Sequence, residues 1–486
     1  MSRVNWNFEN TYFNLPGSFK EDINPVPVKN PDLVVFNEGL ASELNLNFSN
    51  IDKFELSKIF SGNLLPEGSN SIAQAYAGHQ FGHFTMLGDG RAVLIGEHTT
   101  KSNEKYDIQF KGSGKTAFSR NGDGRAALGP MLREYIISEA MNGLKIPTTR
   151  SLAVVKTGEN IQRETSLQGA ILTRVASSHI RVGTFQYIAA RQKEDELKTL
   201  LDYTIDRHYP EIKDSSNKAL DLLNLLIDRQ CNLVVNWMRV GFIHGVMNTD
   251  NMSISGESID YGPCAFMDVY DPQTVFSSID LQGRYSYNNQ PLIAHWNLSR
   301  FAETLIPLVN ENRNKSIDMI KEKINNFPNM FKPKWLKMMR KKIGLHEENA
   351  GDERLINNLL QCMHKTKSDF TNTFLFLMGE KTPSHNDFLQ NNLLAEWKKD
   401  WHNRIYKSGK SKSDSLKLME KTNPKVIPRN HKVNEALENA MQKSDFKFFR
   451  NLVDVLENPY NLKKVYKDYQ KPPLSKEKIE KTYCGT

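Results

Sequence analysis

The sequence predicts an α+β fold of two lobes, a small β-rich N-terminal lobe and a larger helical C-terminal one. Three observations carry this. Segments 92–95, 106–111, 152–155 and 169–174 are short and apolar or alternating, as strands are. Segments 220–237, 292–308, 317–324, 335–339 and 356–363 carry apolar residues as helices do. After the first of these helices comes a polar loop, 241–254, then the turn Ser255-Gly256-Glu257-Ser258 and the strand end Ile259-Asp260-Tyr261-Gly262.

A chain of 486 residues has the length of about three domain-sized units. With 39% hydrophobic residues it can bury a core. No apolar run approaches the roughly 20 residues of a membrane span. Met1-Ser-Arg-Val-Asn-Trp-Asn lacks the apolar stretch of a secretory leader, and Glu21 and Asp22 follow, so a cytoplasmic protein is expected. The formal net charge of +8, from 64 basic and 56 acidic residues, suits a polyphosphate ligand. No nucleic-acid-binding motif accompanies it. A monomer is expected, without nucleic-acid or membrane partners. Cys231, Cys264, Cys362 and Cys484 form no Cys-x-x-Cys pair, which argues against zinc and for reduced thiols.

Taken in order, residues 1–70, with Pro16, Pro25, Pro27 and Pro31, read as an extension wrapping the first lobe, with a short helix or turn near Leu40, Leu44 and Leu46. The N-lobe is expected over 71–176. It opens with glycines and aromatics and reaches Gly88-Asp89-Gly90-Arg91 just before a strand. Such a turn lets backbone N–H groups approach phosphate, and it is also a common hairpin turn. The next strand ends at Lys111 and runs into Gly112-Ser-Gly-Lys-Thr116. This is not a P-loop, because the position five before Gly114 is Gln109, inside the strand. The loop 119–125 offers Asp123 and Gly124 to a nucleotide, or is a simple turn. Pro130 suits the first turn of a helix over 131–144 that presents Glu134 and Glu139. A strand lysine facing a helix glutamate holds phosphates in protein kinases; a solvated glutamate is the alternative. Strands 152–155 and 169–174, joined by the polar segment 156–166, complete a mostly antiparallel sheet. Arg174 and Arg181 can meet phosphate oxygens with a planar fork, or remain surface charges.

The C-lobe is expected over 177–290, with a helical continuation over 291–400. A basic linker follows over 401–425, then C-terminal helices and a flexible tail bearing Cys484 over 426–486. In the polar loop, His244 and Asn251 keep the spacing of the protein-kinase catalytic loop. Asp260-Tyr-Gly262 stands where a metal-binding Asp-Phe-Gly would follow. Val246 occupies the position of the kinase base and accepts no proton, and Asp250 is the only carboxylate in the loop. The order resembles a protein-kinase-like bilobal fold whose base is missing or moved.

Several motifs jointly resemble the selenoprotein O family, the bacterial YdiU-type pseudokinases. They are Tyr76-Ala-Gly-His-Gln-Phe-Gly-His83, Gly88-Asp-Gly-Arg91, Gln109-Phe-Lys-Gly-Ser-Gly114, Asn121-Gly-Asp-Gly-Arg-Ala126, His244-Gly-Val-Met-Asn-Thr-Asp-Asn251 and Asp260-Tyr-Gly-Pro263. The resemblance implies a kinase-like fold that binds ATP in a flipped orientation, with its α-phosphorus toward the acceptor. It implies transfer of AMP, or of UMP from UTP, to Ser, Thr or Tyr hydroxyls of proteins, self-modification included. Position by position, it implies Lys111 on phosphate and paired with Glu134, and Gly88, Gly90, Arg91, Asp123 and Gly124 along the nucleotide. Arg174 and Arg181 would hold phosphates, Asn251 and Asp260 would bind Mg2+ or Mn2+, and Asp250 would accept the proton. The family's C-terminal cysteine is matched by Cys484, with Cys264 as the candidate disulfide partner. A kinase using Asp250 as base and a non-catalytic ATP-binding module are the competing readings.

Overall fold

The computed structural model describes residues 4–380, 392–461 and 464–483. Its first half is built on strands β1 (Lys20–Asp22), β2 (Asp32–Phe36), β3 (Ile72–Gln74), β4 (Ala77–Gln80), β5 (His83–Met86), β6 (Ala92–Thr99), β7 (Lys105–Lys111), β8 (Ala126–Ala127), β9 (Arg150–Gln162) and β10 (Ser166–Ala176). Among the described residues, the main sheet runs β1-β3-β6-β7-β10-β9-β2, with β8 beside β10 and every pairing antiparallel. β4 and β5 form a separate hairpin.

Successive strand residues face opposite sides of a sheet, and here both sides are covered. Val93, Ile95, Ile108, Phe110, Val155 and Ile171 share one core with Leu33, Leu40, Leu44, Phe48 and Phe60. The first seventy residues thus supply β1 and β2, the two sheet edges, and cover one face with α1 (Glu38–Glu43) and α2 (Lys53–Phe60). Leu94, Val154 and Leu172 face the second core, shared with α3 (Leu128–Gly143) and the helical half. The polar segment 156–166, read from sequence as a connection, instead extends β9 and β10 into a long hairpin, Ser166 pairing with Gln162.

The second half is helical: α4 (Val182–Ala190), α5 (Glu194–His208), α6 (Lys218–Val240), α7 (Gln290–Val309), α8 (Arg313–Asn325), α9 (Phe327–Lys342), α10 (Asp352–Lys365) and α11 (Phe370–Leu377). The buried helix α6 ends on Gly241, whose φ of 73° supplies the left-handed cap. β11 (Phe242–Ile243) then pairs with β12 (Ala265–Phe266) and closes the loop that carries Asp250 and Asp260.

The basic linker expected over 401–425 is replaced by helices α12 (Asn392–Lys407) and α13 (Lys412–Thr422). Trp397, Trp401 and Ile405 recur every fourth residue, so they share one buried stripe beneath the lysines. Each indole N–H donates to a carbonyl, Trp397 to Leu355 O at 2.8 Å and Trp401 to Ile343 O at 2.7 Å. Helices α14 (Asn430–Lys443) and α15 (Lys447–Glu457) follow. The tail, expected to be flexible, is pinned as far as Thr482. The Thr482 N–H donates to Phe276 O at 2.7 Å, and its own carbonyl accepts from Ser278 N at 3.0 Å. Among the described residues no helix is long and apolar enough to cross a membrane.

Candidate active site

Lys111 closes the central strand β7 with its side chain buried between two elements. Its ammonium donates to Glu134 Oε2 on α3 at 2.6 Å and to Asp260 Oδ1 at 3.0 Å. Arg174, opposite Gln109 in the β7–β10 pairing, donates to Glu134 Oε1 and to Asp260 Oδ1, both at 2.6 Å. Arg181, at the N-terminal cap of α4, donates to Asp260 Oδ2 at 2.6 Å and to the Asp250 carbonyl at 2.8 Å. Its guanidinium lies 4.5 Å from the centre of the Tyr76 ring, and its Nε has no protein partner. Asp260 sits at φ 62°, a costly conformation for a non-glycine residue, over-determined here by three cations.

Burial pushes the Glu134 and Asp260 carboxyls up. The charges of Arg174 and Lys111, joined at Asp260 by Arg181, outweigh it and hold both below the usual range, Asp260 far below. Burial would lower the two guanidiniums, but neighbouring anionic groups, Asp260 prominent among them, raise both. The two carboxylates and the two guanidiniums are therefore ionised at neutral pH. Asp250 differs. It is 7% exposed, Oδ1 has no hydrogen-bond partner, and burial lifts its carboxyl to about 6 against the opposing Arg181 charge. Gly78 on β4 is required beside it, because a Cβ there would lie 2.1 Å from Asp250 Oδ1.

A cavity of about 220 Å3 joins Lys111, Arg174 and Arg181 to Asp250, Asn251 and Asp260, with Gly90, Arg91 and Val246 on its wall. A larger cleft of about 750 Å3 lies beyond α3, where Arg150 is already paired with Glu139 and Glu43. Asn251 donates its side-chain N–H to Val246 O at 3.0 Å, leaving its amide oxygen as the atom able to bind a ligand. Among the described residues no group of three or more His, Cys, Asp or Glu side chains gathers as a metal site. Asp260 and Asn251 are hard oxygen donors of the kind that Mg2+ takes together with substrate phosphates.

Not every residue singled out in the sequence reaches this cavity. Gly88 packs on Phe118, with a Cβ position 2.3 Å from that ring. Between the two glycines, the buried Asp89 accepts from Gln74 N at 3.2 Å and Gln109 Nε2 at 3.1 Å, so it ties β3 to β7. Asp123 is bound by Arg163 at 2.8 Å, and Gly124 rests on Gly114; neither lines the cavity. Tyr76, Gln80 and Asn248 do line it, and residue patterning alone had not singled them out. For Tyr76 and Gln80 the only signal was the run Tyr76–His83, dense in glycine and aromatics without strand or helix periodicity, while Asn248 lies in the polar loop 241–254. The buried His244 bonds Ile259 O at 2.9 Å and so fastens the loop to the Asp260 segment. Cys264 is a buried free thiol, while Cys484 lies outside the described residues.

A family model described as protein adenylyltransferase SelO matches residues 2–457. A protein nucleotidyltransferase YdiU of Pelagibacter ubique (strain HTCC1062) is 61% identical over 484 residues, covering 99% of this chain and 100% of that protein. The protein of the same description from Nitrosococcus oceani is 56% identical over 483 residues, covering 99% and 98%. That from Shouchella clausii (strain KSM-K16) is 53% identical over 489 residues, covering 100% and 99%. Buried cations ranged around two carboxylates, in a chain with these relatives, define an enzyme of the nucleotidyltransferase class. The chain belongs to the protein adenylyltransferase SelO family.

Proposed function

We propose that the chain transfers AMP from ATP to Ser, Thr or Tyr hydroxyls of proteins, releasing pyrophosphate, on a protein-kinase-like two-lobed scaffold. The observation that carries this reading is one cavity shared by Lys111, Arg174, Arg181, Asp250, Asn251 and Asp260. The scaffold reading is supported by a strand lysine paired with a helix glutamate, and by the loop and Asp-Tyr-Gly segment that follow.

In this reaction the acceptor oxygen attacks the α-phosphorus. An O–P bond forms, the bond from that phosphorus to the bridging oxygen breaks, and pyrophosphate leaves. Lys111, Arg174 and Arg181 meet the charge that develops on the leaving group. Their N–H groups now hold the Asp260 carboxylate, Lys111 and Arg174 at Oδ1 and Arg181 at Oδ2, and phosphate oxygens can accept the same charge-assisted bonds. The hydroxyl proton passes to Asp250, ionised at neutral pH yet more basic than an ordinary carboxylate. Asn251 and Asp260 would hold Mg2+ or Mn2+, which would supply charge neutralisation and orientation of the phosphates. Val246 leaves γ-phosphoryl transfer without its usual base.

Incubation with α-labelled or γ-labelled ATP, and with α-labelled UTP, in the presence of Mg2+ or Mn2+ tests the reading. Label from α-labelled ATP should remain on protein and label from γ-labelled ATP should not. Retention of γ-label would make the chain a kinase, no retention would make it a binding module, and preference for UTP would change the group transferred.

A further inference from the structure

Helix α3 carries more of the site than Glu134. One residue earlier, Arg133 Nε donates to Gly262 O at 3.3 Å, and the same guanidinium donates to Cys264 O. The helix therefore touches Lys111 through one side chain and the Asp260-bearing segment through the next. Its outer side is held by chain about three hundred residues later. Near its start, a Cβ on Gly129 would lie 2.5 Å from Met441 Sδ of α14. At its last residue, a Cβ on Gly143 would lie 2.2 Å from the Leu456 carbonyl oxygen of α15. Between these points the Tyr135 and Phe449 rings pack with centroids 5.6 Å apart, and Phe449 is 1% exposed. Beyond the helix end, Arg239 of α6 donates to Leu144 O at 2.7 Å and also to the Tyr460 hydroxyl.

We propose that the α14–α15 hairpin is a positioning clamp for the transfer reaction. Gripping α3 near both ends, it sets Glu134 against Lys111 and Arg133 against the Asp260 segment. Phe449 is its central positioning residue. Gly143, which admits the Leu456 carbonyl at a distance no side chain would tolerate, fixes the helix along its axis, and the aromatic pair fixes its rotation. Without that backing, α3 can retreat from the cations, and Lys111 loses the carboxylate that directs it into the cavity. The kinetic consequence rests on the transfer reading above; the consequence for Lys111 does not.

The test compares Phe449→Ala with Phe449→Leu, and with Trp401→Ala as a control of similar bulk loss in a helix packed on α10. Two readouts are taken on the full chain without nucleotide or with it: acylation of Lys111 by an amine-reactive ester, followed by peptide mass spectrometry, and kcat and KM for labelled-nucleotide transfer. Phe449→Ala should speed Lys111 acylation several-fold and lower kcat about 10–100-fold, as small misplacements of catalytic groups do, with acceptor KM little changed. Phe449→Leu should restore most of both, and Trp401→Ala should move neither while lowering the melting temperature. If Phe449→Ala does not fold, Phe449→Val, which keeps part of the buried bulk, is read by the same two assays. Unchanged Lys111 acylation and kcat in the clamp variants, or equal losses in Trp401→Ala, would overturn the clamp. Wild-type protein that transfers no label would overturn the transfer reading, and Lys111 acylation would still decide the clamp.

Discussion

Asp260 and Asp250 stand near each other in one cavity with opposite electrostatic fates, and the difference is local. Three cations hold the first ionised, whereas burial, only partly opposed by Arg181, raises the second to about 6. In the proposed transfer Asp250 acts as the base, and Gly78 guards its position. Gly78→Ala should lower kcat by about 10-fold or more by displacing the carboxylate, with nucleotide affinity measured by calorimetry nearly unchanged. A second prediction concerns Glu257, which accepts from Ser177 N at 3.0 Å and from Ser177 Oγ at 2.8 Å, and which burial raises to about 7. A carboxyl raised in the folded state binds its proton more tightly there than in the unfolded chain. Its contribution is fully present below about pH 4.5 and is lost as pH rises toward 7. Glu257→Gln cannot ionise, so its melting temperature relative to wild type should climb between pH 5 and pH 8; a flat difference would contradict the buried charge. At this scale the nearness of Asn251 and Asp260 was legible from kinase-like spacing, and the Lys111–Glu134 pair from a strand lysine followed by a helix glutamate. Gln80 was not, since its relation to Asp250 exists only once the β4–β5 hairpin docks on the catalytic loop, through His79 N to Thr249 Oγ1 at 2.7 Å.

Elements were legible where apolar period and length agreed. Strands β6, β7, β9 and β10 and helices α3 and α6 fall on the segments expected for them, with longer ends. The ends were lost because exposed strand residues such as Asn160 and Gln162 carry no apolar signal; hairpin pairing rather than burial keeps them extended. Helices α12 and α13 were lost for another reason. Lysine-rich composition masked the stripe Trp397, Trp401, Ile405, although its four-residue recurrence stood in the sequence. If that stripe is core, Trp401→Ala should cost about 3–5 kcal/mol, the usual loss for a buried aromatic truncated to alanine. Denaturant titration would read it as a lower midpoint with an unchanged slope, and a surface helix would give almost no shift.

The whole molecule meets at a charge balance drawn from both halves of the chain. Lys111 and Arg174 come from the sheet, Glu134 from α3, Arg181 from the start of the helical half, and Asp260 from the segment after the catalytic loop. Three cations face two carboxylates; the cations and Glu134 are buried, Arg174 only 2% exposed, and Asp260 is partly exposed at the cavity. Removing one charge from such a group leaves its partners buried and uncompensated, which typically costs about 3–5 kcal/mol. Asp260→Asn should therefore abolish transfer and also lower the melting temperature, although the replacement is isosteric. The same excess of positive charge makes the variant a better receptor for a polyanion. Pyrophosphate without divalent metal can restore the missing negative charge in the variant, whereas in wild-type protein it must displace a carboxylate. A ligand present at about 100 times its dissociation constant stabilises by about 2.7 kcal/mol, so calorimetry or thermal scanning resolves the difference. The melting temperature of Asp260→Asn should rise more with pyrophosphate than that of wild type. An equal rise in both would mean that the cluster is held together by packing around it rather than by the Asp260 charge.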